Sequence, residues 1–206
     1  MSAPTDAPLL LETIRLVDGT APLLHRHQAR VDRSRQRYYA KAPAFRLQEV
    51  LDGLDLPRRG IHKLRLLYRA GLERHEVSPY TVRPVNSLRV VAADALTYSR
   101  KYADRSGIEQ LFARRQNCDD ILMVQRGHVT DSSYANLAFY DGNRWYTPAW
   151  PLLRGTRRAE LIERGVLLPT VIRVRDLAHF ERVRLLNGMM EWEEGPTVRI
   201  TAVLGC

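Results

Sequence analysis

The hydrophobic pattern of the first hundred residues predicts a small unit of strands and helices. Apolar and polar positions alternate from Leu10 to Val17, as in a β-strand, and Asp18-Gly19 supplies a turn after it. Apolar positions then recur at helical spacing within residues 21–43. The further elements predicted in this part of the chain are a short helix within 45–57 and strands within 62–71, 72–84 and 87–95, with a turn near Gly71.

Arginines occupy the other face of the first predicted helix. Arg26, Arg30, Arg33 and Arg37 recur at helical spacing, away from the apolar face. Taken from the pattern alone, these arginines are typical of a solvent-exposed basic face.

The pattern changes after residue 97, where strands become more frequent. Ser106 and Glu109 match a capping box, which predicts a helix that begins just after Lys101. Another helix is predicted within 155–165, and at least five strands within 121–204. The sequence thus predicts two domains, a small α+β unit at 1–97 and a larger strand-rich unit at 98–206.

Composition indicates a globular protein of 206 residues, with 45% hydrophobic and 27% charged residues. Cys118 and Cys206 fit neither a disulfide framework nor a zinc site, so we expect a reducing, cytoplasmic location and no metal. The N-terminal stretch has no basic segment of the secretory type, and no apolar run is long enough for a membrane span.

The net charge of +9 raises the question of a nucleic-acid partner. The basic residues, however, are scattered among acidic residues and form no tail, so nucleic acid is not the expected partner. A basic surface serves small anionic substrates equally well.

Lysine is rare in this chain, which draws attention to Lys101. Three of the 32 Lys and Arg residues are lysines and the other 29 are arginines. A lysine amine can become neutral and nucleophilic, whereas arginine stays protonated. Scarcity alone leaves an ordinary surface lysine as the alternative.

Two other segments contain candidate chemistry. Gly155 opens a predicted helix with Thr156 and Arg157 in its first turn, where backbone N–H groups can bind a phosphate or simply form a plain N-cap. Asp131, at a junction between loop and strand, is either a turn residue or a charge placed to hold a cation.

The motifs become more specific in their order along the chain. They are LETIR, then His27, Arg30 and Ser34 as H-x-x-R-x-x-x-S, then the lysine before a helix, then DDILMVQRGHVTDSSYANLAFYDGNRWYTP, and finally LLRGTRRAELIERG. This order resembles the class IV aminotransferase family, which includes branched-chain and D-amino-acid aminotransferases and 4-amino-4-deoxychorismate lyase. The resemblance extends over nearly the whole chain and implies a two-part α/β (α+β) fold of fold type IV. In that fold, pyridoxal 5′-phosphate lies between a small N-terminal half and a strand-rich pseudo-barrel, in a homodimer.

The resemblance also implies a role for particular residues. Lys101 matches the lysine that bonds covalently to the cofactor and later moves a substrate proton, and Arg30 matches the phosphate-binding arginine. Asp131 stands where the family has a glutamate that pairs with the pyridine nitrogen, and Ser132 replaces the glycine that usually follows. The remaining implied residues are Leu153 against the ring, Thr156 and Arg157 around the phosphate, Asn136 as a hydrogen-bonding residue, Asn187, Gly188 and Met189 facing the pocket, and Glu12 and Thr13 in the substrate pocket.

The segment LLNGMM favours one reaction within the family. It resembles the C-N-A-L-M of aminodeoxychorismate lyases more than the S-G-T-A of branched-chain aminotransferases. The resemblance therefore implies release of pyruvate from a small anionic amino substrate, 4-amino-4-deoxychorismate, to leave p-aminobenzoate for folate synthesis. The alternatives are an amino-acid aminotransferase on the same scaffold and a basic binding protein without catalysis, against which Lys101 counts.

Overall fold

The protein, seen here in a computed structural model that describes residues 7–205, consists of two compact units. The first unit contains the chain up to Thr81 together with Arg100–Asp104, and the second contains Val82–Ser99 and the chain from Arg105 onward. This division differs from the predicted ranges 1–97 and 98–206. The strand within residues 87–95 pairs with strands of the second unit, and a short segment around Lys101 returns to the first.

The first unit is a three-stranded antiparallel sheet with helices on one face, in the sheet order β1-β2-β3. Its elements are β1 (Leu10–Val17), α1 (Leu24–Tyr38), α2 (Leu47–Asp52), β2 (Ile61–Tyr68) and β3 (Leu72–Pro79). Alternate residues of β1 and β2, such as Ile14 and Leu64, are buried in one hydrophobic core with Val31 of α1. The period-two pattern of β1 and the helical period of α1 meet in this core, which confirms both elements.

The second unit is built on a nine-stranded mixed sheet. Its elements are β4 (Leu88–Ala92), α3 (Ser106–Ala113), β5 (Asp120–Gln125), β6 (His128–Ser132), β7 (Asn136–Tyr140), β8 (Trp145–Pro148), α4 (Thr156–Glu163), β9 (Leu168–Thr170), a 3-10 helix (Val174–His179), β10 (Arg182–Leu186), β11 (Thr197–Arg199), a second 3-10 helix (Ile200–Ala202) and β12 (Val203–Leu204). The main path of the sheet runs β11-β10-β7-β6-β5-β4-β12, and β8 joins β7 to β9. Strand β4 lies parallel to β5 and β12, while β5, β6 and β7 are successive antiparallel strands.

Both predicted helix starts are confirmed, since α3 begins at Ser106 and α4 at Thr156, with Gly155 as the N-cap of α4. The capping box predicted for α3 is not formed. Arg105 occupies its N-cap position, and within residues 7–205 no side chain makes a cap hydrogen bond to this helix. Within residues 7–205, no helix is both long and apolar enough to cross a membrane.

Candidate active site

In the first unit, a buried carboxylate joins β1 to α1. Glu12 lies on the face of β1 that also presents Ile14 to the helices, and it is 0% exposed. Its Oε1 accepts a hydrogen bond from Arg30 Nε at 2.7 Å, and its Oε2 accepts one from Arg30 Nη2 at 2.5 Å. His27 Nδ1 donates to the same Oε2 at 2.6 Å. These three side chains, Glu12, His27 and Arg30, are called the Glu12 triad below.

The Glu12 triad fixes the charge of each of its members. Burial by itself would raise the pKa of Glu12, but the charge of Arg30 and hydrogen bonds from Arg30 and His27 outweigh burial and lower this pKa to about 2. Burial lowers the pKa of His27, and the charges of Arg30 and Lys101 act in the same direction against the contacts with Glu12. His27 is therefore neutral at pH 7, with its Nδ1–H directed to Glu12. Its Nε2 is buried and has no hydrogen-bond partner among the described residues.

Glu12 and Thr13 cannot both line one pocket, although the resemblance placed them together. Successive side chains of a strand point to opposite faces, so Thr13 lies on the face of the sheet that Glu12 does not share. Thr13 is half-buried and pairs in register with Arg65 of β2. Both carboxylate oxygens of Glu12 instead accept hydrogen bonds from side chains of α1, inside the core.

Lys101 lies beside β1 in the first unit. Its carbonyl oxygen accepts a hydrogen bond from Leu11 N at 2.9 Å, and Ala103 N donates to Leu9 O at 2.9 Å. The backbone of the lysine is thus held against the strand that carries Glu12. Its side chain is half-buried, and its charge acts on His27. Lys101 and the Glu12 triad therefore form one electrostatic neighbourhood.

In the second unit, Asp131 is a buried acid held by two donors. It is 5% exposed, and its Oδ2 accepts a hydrogen bond from Leu153 N at 2.9 Å. Its Oδ1 accepts one from Asn136 Nδ2 at 2.7 Å. Burial raises the pKa of Asp131 to about 6, although these hydrogen bonds and the charge of Arg158 oppose the rise. The acid is mostly ionised at pH 7, and its two oxygens can still accept further hydrogen bonds.

Asn136 ties Asp131 to the loop that leads into α4. Besides its bond to Asp131, Asn136 Nδ2 donates to Leu153 O at 2.8 Å. A Cβ atom on Gly155 would lie 2.0 Å from Asn136 Oδ1. Only glycine fits this approach, so the Asp131 carboxylate and the N-terminus of α4 are held in one rigid arrangement.

The N-terminus of α4 has the properties of an anion site. No side chain of the described residues caps its first turn, whose backbone N–H groups have no intrahelical acceptor. Thr156 Oγ1 and Arg157 Nε are both buried without a hydrogen-bond partner among the described residues. The rest of the Arg157 guanidinium contacts carboxylates, with Nη2 donating to Glu191 at 2.6 Å and Nη1 to Glu160 at 3.3 Å.

A buried arginine that the sequence did not single out lies near Asp131. Arg158 Nη2 donates to Pro148 O at 2.7 Å, and its Nε donates to Thr147 Oγ1 at 3.1 Å. Burial lowers the pKa of Arg158, while the charge of Asp131 raises it. Arg158 supplies the nearby positive charge that partly offsets the burial of Asp131. The doubled arginine in GTRR was the one sequence signal that could have identified it.

The loop after β10 is internally bonded. Asn187 Oδ1 accepts a hydrogen bond from Met189 N at 2.8 Å, and Asn187 Nδ2 donates to Tyr134 O at 3.5 Å. Gly188 is half-buried, whereas Met189 is only 4% exposed. Asn187 therefore holds the turn of this loop, and the Met189 side chain packs inside the unit.

Comparisons with known proteins agree with these motifs. The sequence profile of the family described as amino-transferase class IV matches residues 9–193. An uncharacterized protein of Haemophilus influenzae is 34% identical over 183 residues, which are 87% of this chain and 97% of the relative. The crystal structure of a candidate 4-amino-4-deoxychorismate lyase from Haemophilus somnus 129PT is 33% identical, with a TM-score of 0.82 over 88% of this chain and 96% of that one. An aminotransferase from Brucella abortus bound to pyridoxal phosphate shares the fold at 16% identity, with a TM-score of 0.73 over 93% of this chain and 80% of that one.

Proposed function

The chain belongs to the class IV aminotransferase family of pyridoxal-phosphate enzymes, and we propose that within this family it is a 4-amino-4-deoxychorismate lyase. The reaction releases pyruvate and leaves p-aminobenzoate. The observation that carries the proposal is the likeness to the candidate lyase of Haemophilus somnus, at 33% identity over 96% of that chain. In this account the enzyme works in the cytoplasm as a homodimer, and its product enters folate synthesis.

The donors of the second unit fit pyridoxal phosphate. In the described part of the chain, no side chain caps the N-terminus of α4 and Thr156 Oγ1 has no hydrogen-bond partner, so both offer the donors that a phosphate dianion requires. Asp131 is the buried acid suited to a pyridinium nitrogen, and Leu153 is bonded to it through its backbone. Arg157 contributes its backbone N–H, since its side chain already contacts Glu160 and Glu191.

When bound, pyridoxal phosphate supplies an electron-accepting ring, and the described residues have separate tasks around it. By resemblance to the family, Lys101 would attach the cofactor and hold the substrate proton at its Nζ. Asp131 would keep the ring nitrogen protonated, because an anion beside that nitrogen favours its charged form. Arg30 would bind the phosphate. Asn136 holds Asp131 and Leu153 in place through its two hydrogen bonds.

The charge of the protein suits the proposed substrate. 4-Amino-4-deoxychorismate carries two carboxylates, and a net charge of +9 attracts anions of this size. Thr13 lies on the sheet face where Arg65 and Arg15 also lie, since alternate residues of β1 and their partners on β2 share a face. That arrangement supports Thr13 as a substrate-pocket residue more than Glu12.

The test of the proposal is a product assay with the purified protein loaded with pyridoxal phosphate. We expect 4-amino-4-deoxychorismate alone to give pyruvate and p-aminobenzoate in equal amounts. An aminotransferase would instead need a keto acid as a second substrate. Turnover of amino acids with a keto-acid acceptor, and no pyruvate from aminodeoxychorismate, would replace the lyase by the aminotransferase alternative.

A further inference from the structure

The Glu12 triad has an arrangement that stability alone does not explain. Glu12 is fully buried, and it binds the edge of the Arg30 guanidinium formed by Nε and Nη2. Desolvation of two buried charges offsets much of their attraction, so apolar side chains would often serve a core equally well. A buried ion pair that also engages a histidine therefore suggests a functional constraint.

The geometry shows what is constrained. A guanidinium is planar, and two parallel hydrogen bonds to one carboxylate fix both its plane and its direction. Nη1 is not among the Arg30 atoms that bond to Glu12. Its direction is nevertheless fixed, because the hydrogen bonds from Nε and Nη2 to Glu12 orient the whole guanidinium. His27 donates to Oε2 and prevents the Glu12 carboxylate from turning. His27 and Arg30 lie three residues apart on α1, which places both on the side facing Glu12.

The charge state of the Glu12 triad is also suited to an anion. With His27 neutral, the three side chains together carry no net charge at pH 7. Arg30 is thus stabilised inside the core without a second negative charge that would repel a phosphate. His27 Nε2, which has no hydrogen-bond partner within residues 7–205, carries a lone pair in the neutral ring, so His27 is not a second cation that would compete with Arg30 for Glu12.

We propose that Glu12 and His27 are positioning residues that hold Arg30 in the orientation in which it binds the cofactor phosphate. The inference rests on the proposed function, in which Arg30 is a phosphate ligand. It gives Glu12 a role in binding the cofactor phosphate, through Arg30, in place of a role in the substrate pocket. It also predicts that loss of the His27 donor weakens the binding of the phosphate and not the binding of the rest of the cofactor.

The test compares the affinities for pyridoxal phosphate and for pyridoxal, which has the same ring and aldehyde but no phosphate. Both are measured by absorbance titration of the cofactor-free protein. His27→Leu removes the donor to Glu12, and we expect it to lower the ratio of the two affinities by about tenfold or more, as loss of an outer partner does for metal ligands. His27→Asn places an amide nitrogen near the position of Nδ1 and should restore the ratio. His25→Leu, an exposed histidine of the same helix, is the matched control and should leave the ratio unchanged.

Equal losses of affinity for pyridoxal phosphate and pyridoxal in His27→Leu, or no loss for either, would overturn the inference. Either outcome would mean that the Glu12 triad is only part of the core. If His27→Leu does not fold, the comparison of His27→Gln with His27→Asn decides, because the longer amide cannot take the place of Nδ1. Equal ratios in these two variants would again overturn it. A parent protein that shows no preference for pyridoxal phosphate over pyridoxal would instead contradict the phosphate role of Arg30 and with it the proposed function.

Discussion

The substitution Asp131→Asn should stabilise the cofactor-free protein relative to the parent, and this advantage should grow as the pH rises. Asp131 is 5% exposed, and burial raises its pKa from 3.8 to about 6. Between these two values the folded protein holds a proton that the unfolded chain has lost. The sign of the effect follows, because a group whose pKa is raised by folding lowers stability as the pH rises through that window.

The size of the effect follows from the same shift. Each pKa unit corresponds to about 1.4 kcal/mol, so the ionised Asp131 costs the folded state about 3 kcal/mol above pH 6. Asparagine keeps the size of the side chain and has no such titration. The difference in free energy of unfolding between variant and parent should therefore move by about 3 kcal/mol in favour of the variant from about pH 3 to about pH 7.

The assay is urea unfolding of the cofactor-free proteins, followed by tryptophan fluorescence across this pH range. Other titrating groups cancel in the difference between variant and parent. Asp141→Asn is the matched control, because Asp141 is exposed and its pKa is lowered by backbone hydrogen bonds from Arg144 and Asn143. The control should not gain stability as the pH rises. A difference for Asp131→Asn that does not change with pH would refute the buried, partly protonated acid on which this reasoning depends.

Four further predictions concern turnover, packing and partners. Lys101→Ala should give no borohydride-stable adduct with pyridoxal phosphate and no measurable turnover. An adduct retained in this variant would contradict the role of Lys101 in attaching the cofactor. Asp131→Asn at full cofactor occupancy should lose orders of magnitude in rate, whereas a rate within a few-fold of the parent would make Asp131 only a turn residue. Gly155→Ala should lower stability by roughly 1–3 kcal/mol in thermal unfolding, because its Cβ would lie 2.0 Å from Asn136 Oδ1. Gly71→Ala is the control, because no atom of residues 7–205 would lie within 4 Å of its new Cβ, and equal effects would refute the packing argument. Random duplex DNA should bind weakly, and tight, salt-sensitive binding would show that the positive charge serves nucleic acid.

Local periodicity predicted β1 and α1 because each buries one face against the other. The same pattern could not tell which arginine of α1 is buried. Arg33 and Arg37 are exposed as predicted, but Arg30 is 7% exposed because it meets Glu12, which lies eighteen residues earlier in the chain. Arg35 was also missed, since its acceptors are the carbonyls of Pro43 and Ala70. Such partners lie in loops and leave no periodic signal.

The boundaries of the units depend on strand pairing, which sequence texture does not reveal. Strand β4 follows the first unit in sequence but pairs with β5 in parallel, so it belongs to the second unit. The motif around Asp131 was more informative, because its acid and Asn136 face each other across two strands. By contrast, the alternation of β1 is enough to place Glu12 and Thr13 on opposite faces of the sheet, and this separation can be predicted from the sequence alone.

The most direct test of the proposed reaction follows the amino nitrogen of the substrate. 4-Amino-4-deoxychorismate labelled with 15N at its amine is incubated with the protein and pyridoxal phosphate, and the products are identified by mass spectrometry. A lyase removes the pyruvate group and leaves the amine in place, so we predict labelled p-aminobenzoate together with pyruvate, and neither product with Lys101→Ala. Transfer of the label to an added keto acid, with no labelled p-aminobenzoate, would contradict the lyase and identify the protein as an aminotransferase.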